Sequence, residues 1–231
     1  MPASAMVLYG AINRPDNDTD TAGGAIDTEW RPLWYEVSWP SLIRIRSDNP
    51  ADVRGVNIYG RDKTGNDTIE VLYLDGLSDV IGVVEFMRVD KVEALSTSPT
   101  DTIQIIQDLG SLILHEINPN ERGAFRMFRN ATSAGTPSLH YEKLFWKNTD
   151  AADVPTDVTV TLNFDMIRLI EIGLDLAVDS ALSVANRVTA PAGVTFSDDG
   201  VAITVPGNTL AAGSAIGVWV KLILAANAGP F

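Results

Sequence analysis

The sequence contains no cysteine and only two histidines, His115 and His140, among its 231 residues. The absence of cysteine excludes disulfide frameworks, thiolate zinc sites, iron–sulfur clusters and a cysteine nucleophile. The chain also lacks the G-x-S-x-G, phosphate-loop and HExxH motifs. A hydrolytic triad needs a histidine beside its nucleophile. Each histidine of this chain lies in a strand-like segment, so each is interpreted as an ordinary strand residue. We therefore expect no enzymatic activity, no cofactor and no bound metal ion.

Basic residues are scarce as well, with 17 Lys and Arg against 30 Asp and Glu, a formal net charge of -13. Phosphate binding needs a surplus of Lys and Arg, so this balance argues against nucleic acid as the main partner. No apolar run approaches the roughly 18 residues of a membrane span. Residues 1–11 have neither the basic stretch nor the long apolar stretch of a signal peptide. We expect neither a nucleic-acid nor a membrane partner.

What the chain does contain is β-type alternation of polar and apolar residues. From Ser41 onward, Ile43 and Ile45 alternate with Leu42, Arg44 and Arg46, and β-rich segments follow about every 10 residues, separated by Gly, Asn and Asp. Residues 169–178 also alternate strictly, which favours a strand over a helix. The pattern predicts an all-β fold of two consecutive antiparallel β-sandwich domains, immunoglobulin-like or jelly-roll-like.

The same patterns divide the chain into three parts. Residues 13–25 are mostly Asp, Asn, Thr and Gly, a composition that buries too little apolar surface to offset the entropy of ordering. Residues 1–27 are therefore predicted to form an extended N-terminal arm. The turn sequence at 118–121 marks a domain boundary, which gives a first domain over 28–119 and a second over 120–231.

Two segments have both a functional and a purely structural interpretation. Asp16, Asp18 and Asp20 have the alternate spacing of a calcium loop, but Thr21 and Asp27 stand where such a loop needs Gly and Glu, which favours a solvated acidic segment. The aromatic and basic strand at 141–147 resembles a stacking platform for sugars or single strands. Because its aromatic residues fall on both faces, burial of Trp146 with partly exposed Lys143 and Lys147 is the simpler interpretation.

Aromatic residues are concentrated between residues 30 and 39, where three of the five tryptophans lie. Such a cluster either caps a domain core or anchors a contact with another subunit, since buried aromatic residues dominate interface energetics. The second alternative predicts a partner-binding segment that starts near the end of the arm. Its predicted contact residues are Ile26, Trp30, Leu33, Trp34, Tyr35 and Trp39.

Several segments resemble a family of two-domain virion structural proteins of tailed bacteriophages. The resemblance covers most of the chain from Gly23 onward. Its motifs are structural, with glycines at turns and aromatic-apolar strands, and the family has no catalytic residues to transfer. The segments that carry it are Gly23–Thr28, Val56–Asp62, Thr68–Val71, Phe86–Val89, Asn120–Ala131, Tyr141–Asn148, Asn186–Phe196 and Leu210–Leu222.

This resemblance implies a place in a virion. The leading hypothesis is a capsid decoration (cement) protein on the outer surface of the assembled head, with the major capsid protein and copies of itself, as a trimer or dimer, for partners. Binding only to the assembled shell would stabilise that state by mass action. Two alternatives stay open: a tail or neck component such as an adaptor or fibre-attachment protein, and a host-surface module that binds glycans.

Overall fold

The computed structural model describes residues 6–33, 35, 37, 39–98, 100–163 and 169–229. Within these ranges nearly all regular structure is β-strand, with one short 3-10 turn at Pro206–Asn208. The predicted all-β class is confirmed, whereas the immunoglobulin-like or jelly-roll-like sandwich stays a prediction. In the described part of the chain, no helix is long and apolar enough to cross a membrane.

The chain forms two units that differ from the predicted domains. One unit is Thr28–Arg126, and the other combines Met1–Asp27 with Met127–Phe231. The two domains are therefore not consecutive, and the boundary lies after Arg126 rather than at 119. The reason is the strand Gly123–Phe125, which pairs with Val80–Ala94 and, in parallel, with Trp30–Pro32. These hydrogen bonds keep residues 120–126 in the first unit.

The Thr28–Arg126 unit contains one curled sheet of eight strands in the order β3-β10-β7-β4-β8-β9, and β5 and β6 extend it beside β7. β6 pairs only with β5 and so forms a sheet edge. The strands are β3 (Trp30–Pro32), β4 (Ser41–Ser47), β5 (Gly55–Asp62), β6 (Asp67–Tyr73), β7 (Val80–Ala94), β8 (Ile103–Gln107), β9 (Leu112–Ile117) and β10 (Gly123–Phe125).

Branched side chains on one face of this sheet form the core of the unit. Ile43 and Ile45 on β4 lie opposite β8, and Ile58 on β5 lies opposite Val92 on β7. All of them are fully buried. The predicted alternation at residues 42–46 thus places the isoleucines inward and the arginines outward, as the period of a strand requires.

The second unit contains a six-stranded sheet in the order β13-β16-β11-β1-β2-β14 and a separate pair, β12 with β15. The predicted strand at 169–178 is confirmed over the shorter range Ile170–Leu174. The strands are β1 (Met6–Asn13), β2 (Ala22–Asp27), β11 (Ser138–Asn148), β12 (Thr159–Val160), β13 (Ile170–Leu174), β14 (Ser183–Val184), β15 (Ile203–Thr204) and β16 (Ala215–Leu224).

The predicted N-terminal arm is wrong for the described residues 6–27. β1 lies between β11 and β2 in the sheet, with Met6 opposite Asn148 and Gly10 opposite both Leu144 and Asp27. The polar appearance of this segment is misleading because its small residues pack closely. Gly23, at a φ of +85°, approaches the Trp219 ring so closely that a Cβ there would overlap it. Composition alone treats such a glycine as a loop residue.

Candidate interaction surface

The most unusual surface of the Thr28–Arg126 unit lies on its edge strand β6. Ile69, Val71 and Tyr73 alternate along this strand on its outer side, and these residues are 59%, 45% and 64% exposed, respectively. The inward positions between them hold Glu70 and Leu72, both buried. The polarity of the strand is therefore inverted at Glu70, because an apolar row faces water while a carboxylate faces the core.

Glu70 explains this inversion. Its Oε1 accepts hydrogen bonds from the backbone N–H groups of Val83 and Val84, where β7 departs from regular pairing with β4. Gly82 leaves the space that the carboxylate occupies, since a Cβ at this position would overlap Glu70. Two backbone amides that the β4–β7 pairing leaves out thus receive a side-chain acceptor, which is a reason for Glu70 to point inward.

Leu95 extends the apolar row beyond β6. The Leu95 side chain and the Tyr73 ring both lie close over Gly55, and Leu95 is itself exposed. We call this set, Ile69, Val71, Tyr73 and Leu95, the β6 face. Next to the β6 face, on the neighbouring strand β5, Asn57 donates a hydrogen bond to the Tyr59 hydroxyl. A contiguous apolar patch beside a polar border is typical of a protein contact site.

The predicted partner-binding residues are not brought together as one exposed set. Trp30 is only 6% exposed, and Lys91 Nζ lies 4.8 Å from the centre of its ring, so this tryptophan belongs to the unit's interior. Leu33 packs against the core of the same unit. Tyr35 and Trp39 are exposed and available for contact. Trp34 lies outside the described residues.

Ile26 belongs to the other unit. It lies on β2, packed against a small cluster that contains Ala11, Phe145 and Ala215. It is thus a partly buried residue of the six-stranded sheet rather than part of an extended arm. Of the six predicted residues, the described ones that present an aromatic ring to solvent are Tyr35 and Trp39.

The three alternate aspartates are used within the protein. Asp18 Oδ1 accepts hydrogen bonds from Nε and Nη2 of Arg187, and Asp16 pairs with Arg129. Asp20 Oδ2 accepts from the backbone N–H of Asp16. Among the described residues, no group of carboxylates and histidines is arranged to hold a metal ion. These contacts favour a polar loop over a calcium loop.

A serine, a histidine and an aspartate that no sequence motif indicated lie together near this loop. His140 Nε2 is 2.8 Å from Ser138 Oγ, and Nδ1 is 3.1 Å from Asp18 Oδ1 without hydrogen-bond geometry. A catalytic base must become an imidazolium. Burial lowers the pKa of His140, and the Arg187 charge lowers it further against the opposing effect of Asp18. The His140 side chain has no exposed surface, and this burial favours a structural interpretation of the group.

Arg187 stands at the centre of this buried polar cluster. Its side chain is fully buried and also donates hydrogen bonds to Glu142 Oε1 and to the backbone oxygen of Arg129. Burial raises the pKa of Glu142 to about 7, while Arg187 acts in the opposite direction. The cluster joins the 14–21 loop, β11 and the segment after β14, three parts of one unit that are distant in sequence.

An open cleft of about 560 Å³ lies over β4, β8 and β9 of the Thr28–Arg126 unit. Three of its polar side chains are paired with one another, since Arg46 Nε donates to Gln104 and Gln104 donates to Glu116. This chain of hydrogen bonds runs across three neighbouring strands and stabilises their outer face. The cleft therefore offers less to a ligand than its lining suggests.

No family model, curated protein or solved structure matches the chain. The resemblance to phage virion proteins therefore stays a prediction, and the functional proposal rests on residues of this chain. The β6 face bears most directly on function. It presents apolar side chains to solvent, and no described strand pairs with the second edge of β6.

Proposed function

We propose that the chain is a non-enzymatic structural protein of a bacteriophage particle, a decoration protein that binds the outer surface of the assembled capsid. The observation that carries this proposal is the β6 face. A row of exposed apolar side chains on an edge strand costs solubility in a monomer and is typical of a surface that a partner covers.

The architecture and the charge agree with this role. A β-sheet unit with hydrogen-bonded strands needs no ligand to hold its shape and can be repeated over a symmetric shell. A net charge of -13 disfavours contact with packaged DNA and other anionic surfaces. The β6 face itself contains no charged residue, so docking through it avoids the cost of burying unpaired charges.

Tyr35 and Trp39 provide a second set of exposed groups in the same unit. Exposed aromatic side chains supply much contact area for little conformational entropy, which makes them effective anchors at interfaces. The part of the aromatic-cluster hypothesis that we retain is limited to these two residues. Capsid protein is the proposed partner for both sets, and copies of the chain are further partners.

The number of copies in purified particles tests this proposal. Decoration of a shell requires on the order of hundreds of copies, whereas a tail or neck component has about six to eighteen, because these numbers follow from particle symmetry. We expect quantitative mass spectrometry of gradient-purified particles, calibrated with isotope-labelled peptides of this chain, to give the higher number. A value in the lower range would replace decoration with the tail or neck alternative.

Absence of the chain from washed particles would contradict a virion role altogether. In that case the glycan-binding alternative becomes the next hypothesis, to be examined by binding to immobilised host-surface glycans. A major capsid protein from the same particles, measured in the same digest, serves as the internal standard for copy number.

A further inference from the structure

Lys143 and Asp175 form an isolated ionisable pair in the interior of the second unit. Lys143 lies on β11, Asp175 follows β13, and both side chains reach across the intervening strand β16. Lys143 Nζ lies 2.6 Å from Asp175 Oδ2, and neither side chain has any exposed surface. The predicted partial exposure of Lys143 is therefore wrong.

Gly217 makes this arrangement possible. It lies on β16 between the two side chains, and a Cβ at this position would overlap both Asp175 Oδ2 and Lys143 Cε. The space above the glycine is thus filled by the end of the Lys143 side chain and the carboxyl group of Asp175. Every other residue type would push the amine and the carboxyl group apart.

The surroundings are aromatic and dry, with aligned hydrogen-bond donors and acceptors. Nζ lies 4.4 Å from the centre of the Phe145 ring and 5.7 Å from that of Trp219. Trp219 Nε1 donates to Asp175 Oδ1 at 2.8 Å. Nζ donates to the backbone oxygens of Ser180, Gly24 and Leu182 at 2.8, 3.1 and 3.2 Å.

We propose that Lys143 and Asp175 condense into an intramolecular isopeptide bond. In this step Lys143 Nζ forms a bond to Cγ of Asp175, and the bond between Cγ and Oδ2 breaks. Starting from the ammonium and the carboxylate, two of the three Nζ protons pass to Oδ2, which leaves as water, and one stays as the amide hydrogen. No oxidant, cofactor or other reactant is required, and no net proton is gained or lost.

Three physical effects favour this reaction. Burying an ammonium and a carboxylate together carries a large desolvation cost, and a neutral amide removes both charges. Fixed reacting groups in contact have effective concentrations of roughly 10⁵ to 10⁸ M. Burial also lowers the pKa of Lys143, against the opposing effect of Asp175, which increases the population of the nucleophilic amine.

The groups already in place also suit the product. The Trp219 N–H, which now donates to Oδ1, would stabilise the negative charge on that oxygen during attack and then bind the amide carbonyl. The remaining amide N–H can donate to the Ser180 oxygen. The backbone oxygen of Leu182 has a hydrogen-bond donor both before and after the bond forms, because the Gly24 backbone N–H donates to it at 2.9 Å.

Such a bond would link β11 covalently to the end of β13 across β16. A cross-link restricts the unfolded chain and so raises the stability of the unit. For a protein exposed on a surface, it would resist both heat and mechanical force. This inference does not depend on the proposed virion role, because the pair lies inside a single unit.

The mass of the denatured, purified chain tests the proposal directly. We expect a population lighter than the sequence mass by one water molecule, and a proteolytic digest with a branched peptide that joins Lys143 to Asp175. An unmodified mass after prolonged incubation of the folded chain, with separate peptides for the two residues, would overturn the proposal and leave a buried ion pair.

Two matched variants identify the reacting atoms. Lys143→Arg keeps a cation but lacks the reactive amine, so its mass should equal its sequence mass. Asp175→Asn offers an amide as the electrophile and should lose ammonia instead of water. Loss of water in Lys143→Arg would assign the dehydration to other residues and contradict the proposal. The parent chain's mass decides the question even where a variant does not fold.

Discussion

Deletion of residues 1–27 is expected to unfold the unit that these residues form with Met127–Phe231. The deletion removes both β1 and β2, so β11 loses its neighbour on one side and β14 loses the strand with which it pairs. The deletion also removes Asp18, a partner of Arg187, and Gly24, an acceptor for Lys143. Each loss leaves a buried cation with an unsatisfied donor, which is strongly destabilising.

Thermal unfolding of the deleted chain, compared with the full chain, measures this effect. We expect loss of the near-ultraviolet signal from Trp219, which is fully buried beside β2. The Thr28–Arg126 unit should retain its own cooperative transition, since all its strands lie within 28–126. Addition of a synthetic peptide of residues 6–27 serves as the control and should restore the lost structure. A deleted chain with both units folded would support the arm that the sequence predicted.

Arg187→Met is expected to destabilise the same unit by about 3–5 kcal/mol, the usual cost of removing one partner from a buried ion pair. The variant leaves Glu142, almost fully buried, without its guanidinium partner. It also removes the hydrogen bonds that Arg187 donates to Asp18 and to the backbone oxygen of Arg129. Chemical denaturation followed by circular dichroism gives the change in the free energy of unfolding.

Arg14→Met is the matched control for this substitution. Arg14 lies in the same unit and pairs with Asp27 at 2.8 Å, but both side chains are partly exposed. Its loss should cost about 1 kcal/mol or less. A second change, Glu142→Leu, should recover part of the stability of Arg187→Met because it removes the unpaired carboxyl group. Equal losses for Arg187→Met and Arg14→Met would show that burial of the cluster has been overestimated.

The strands were largely predictable from sequence because alternation determines which residues can share a face. At Ile43 and Ile45 the apolar residues lie inward as the pattern indicates. At β6 the same rule fails, since Ile69, Val71 and Tyr73 are more apolar as a set than Thr68, Glu70 and Leu72, yet they face solvent. The deciding contact is between Glu70 and the amides of Val83 and Val84. Such a contact between distant residues has no signal in a single strand.

The N-terminal segment and Lys143 could not be predicted for a related reason. Residues 13–25 are small and polar, and composition cannot distinguish a loose arm from a strand that packs against a large ring. Lys143 looks like a surface residue until Gly217, Asp175 and three backbone oxygens are brought around it by the fold. In both cases the decisive partner lies more than thirty residues away along the chain.

The β6 face is proposed to hold the chain on the particle, and the occupancy of a β6 variant tests this most directly. Particles are assembled with the triple variant Ile69→Ser, Val71→Thr, Tyr73→Ser, and copies per particle are compared with the parent chain. The control carries Leu139→Ser, Leu176→Ser and Val201→Thr, which change exposed apolar residues of the other unit.

Both variants should fold, because exposed substitutions usually change stability by about 0.5 kcal/mol or less each. We predict that occupancy falls at least about tenfold for the β6 variant, the effect of losing about 1.4 kcal/mol of binding free energy, and stays at the parent level for the control. Equal occupancy for all three chains would contradict the account.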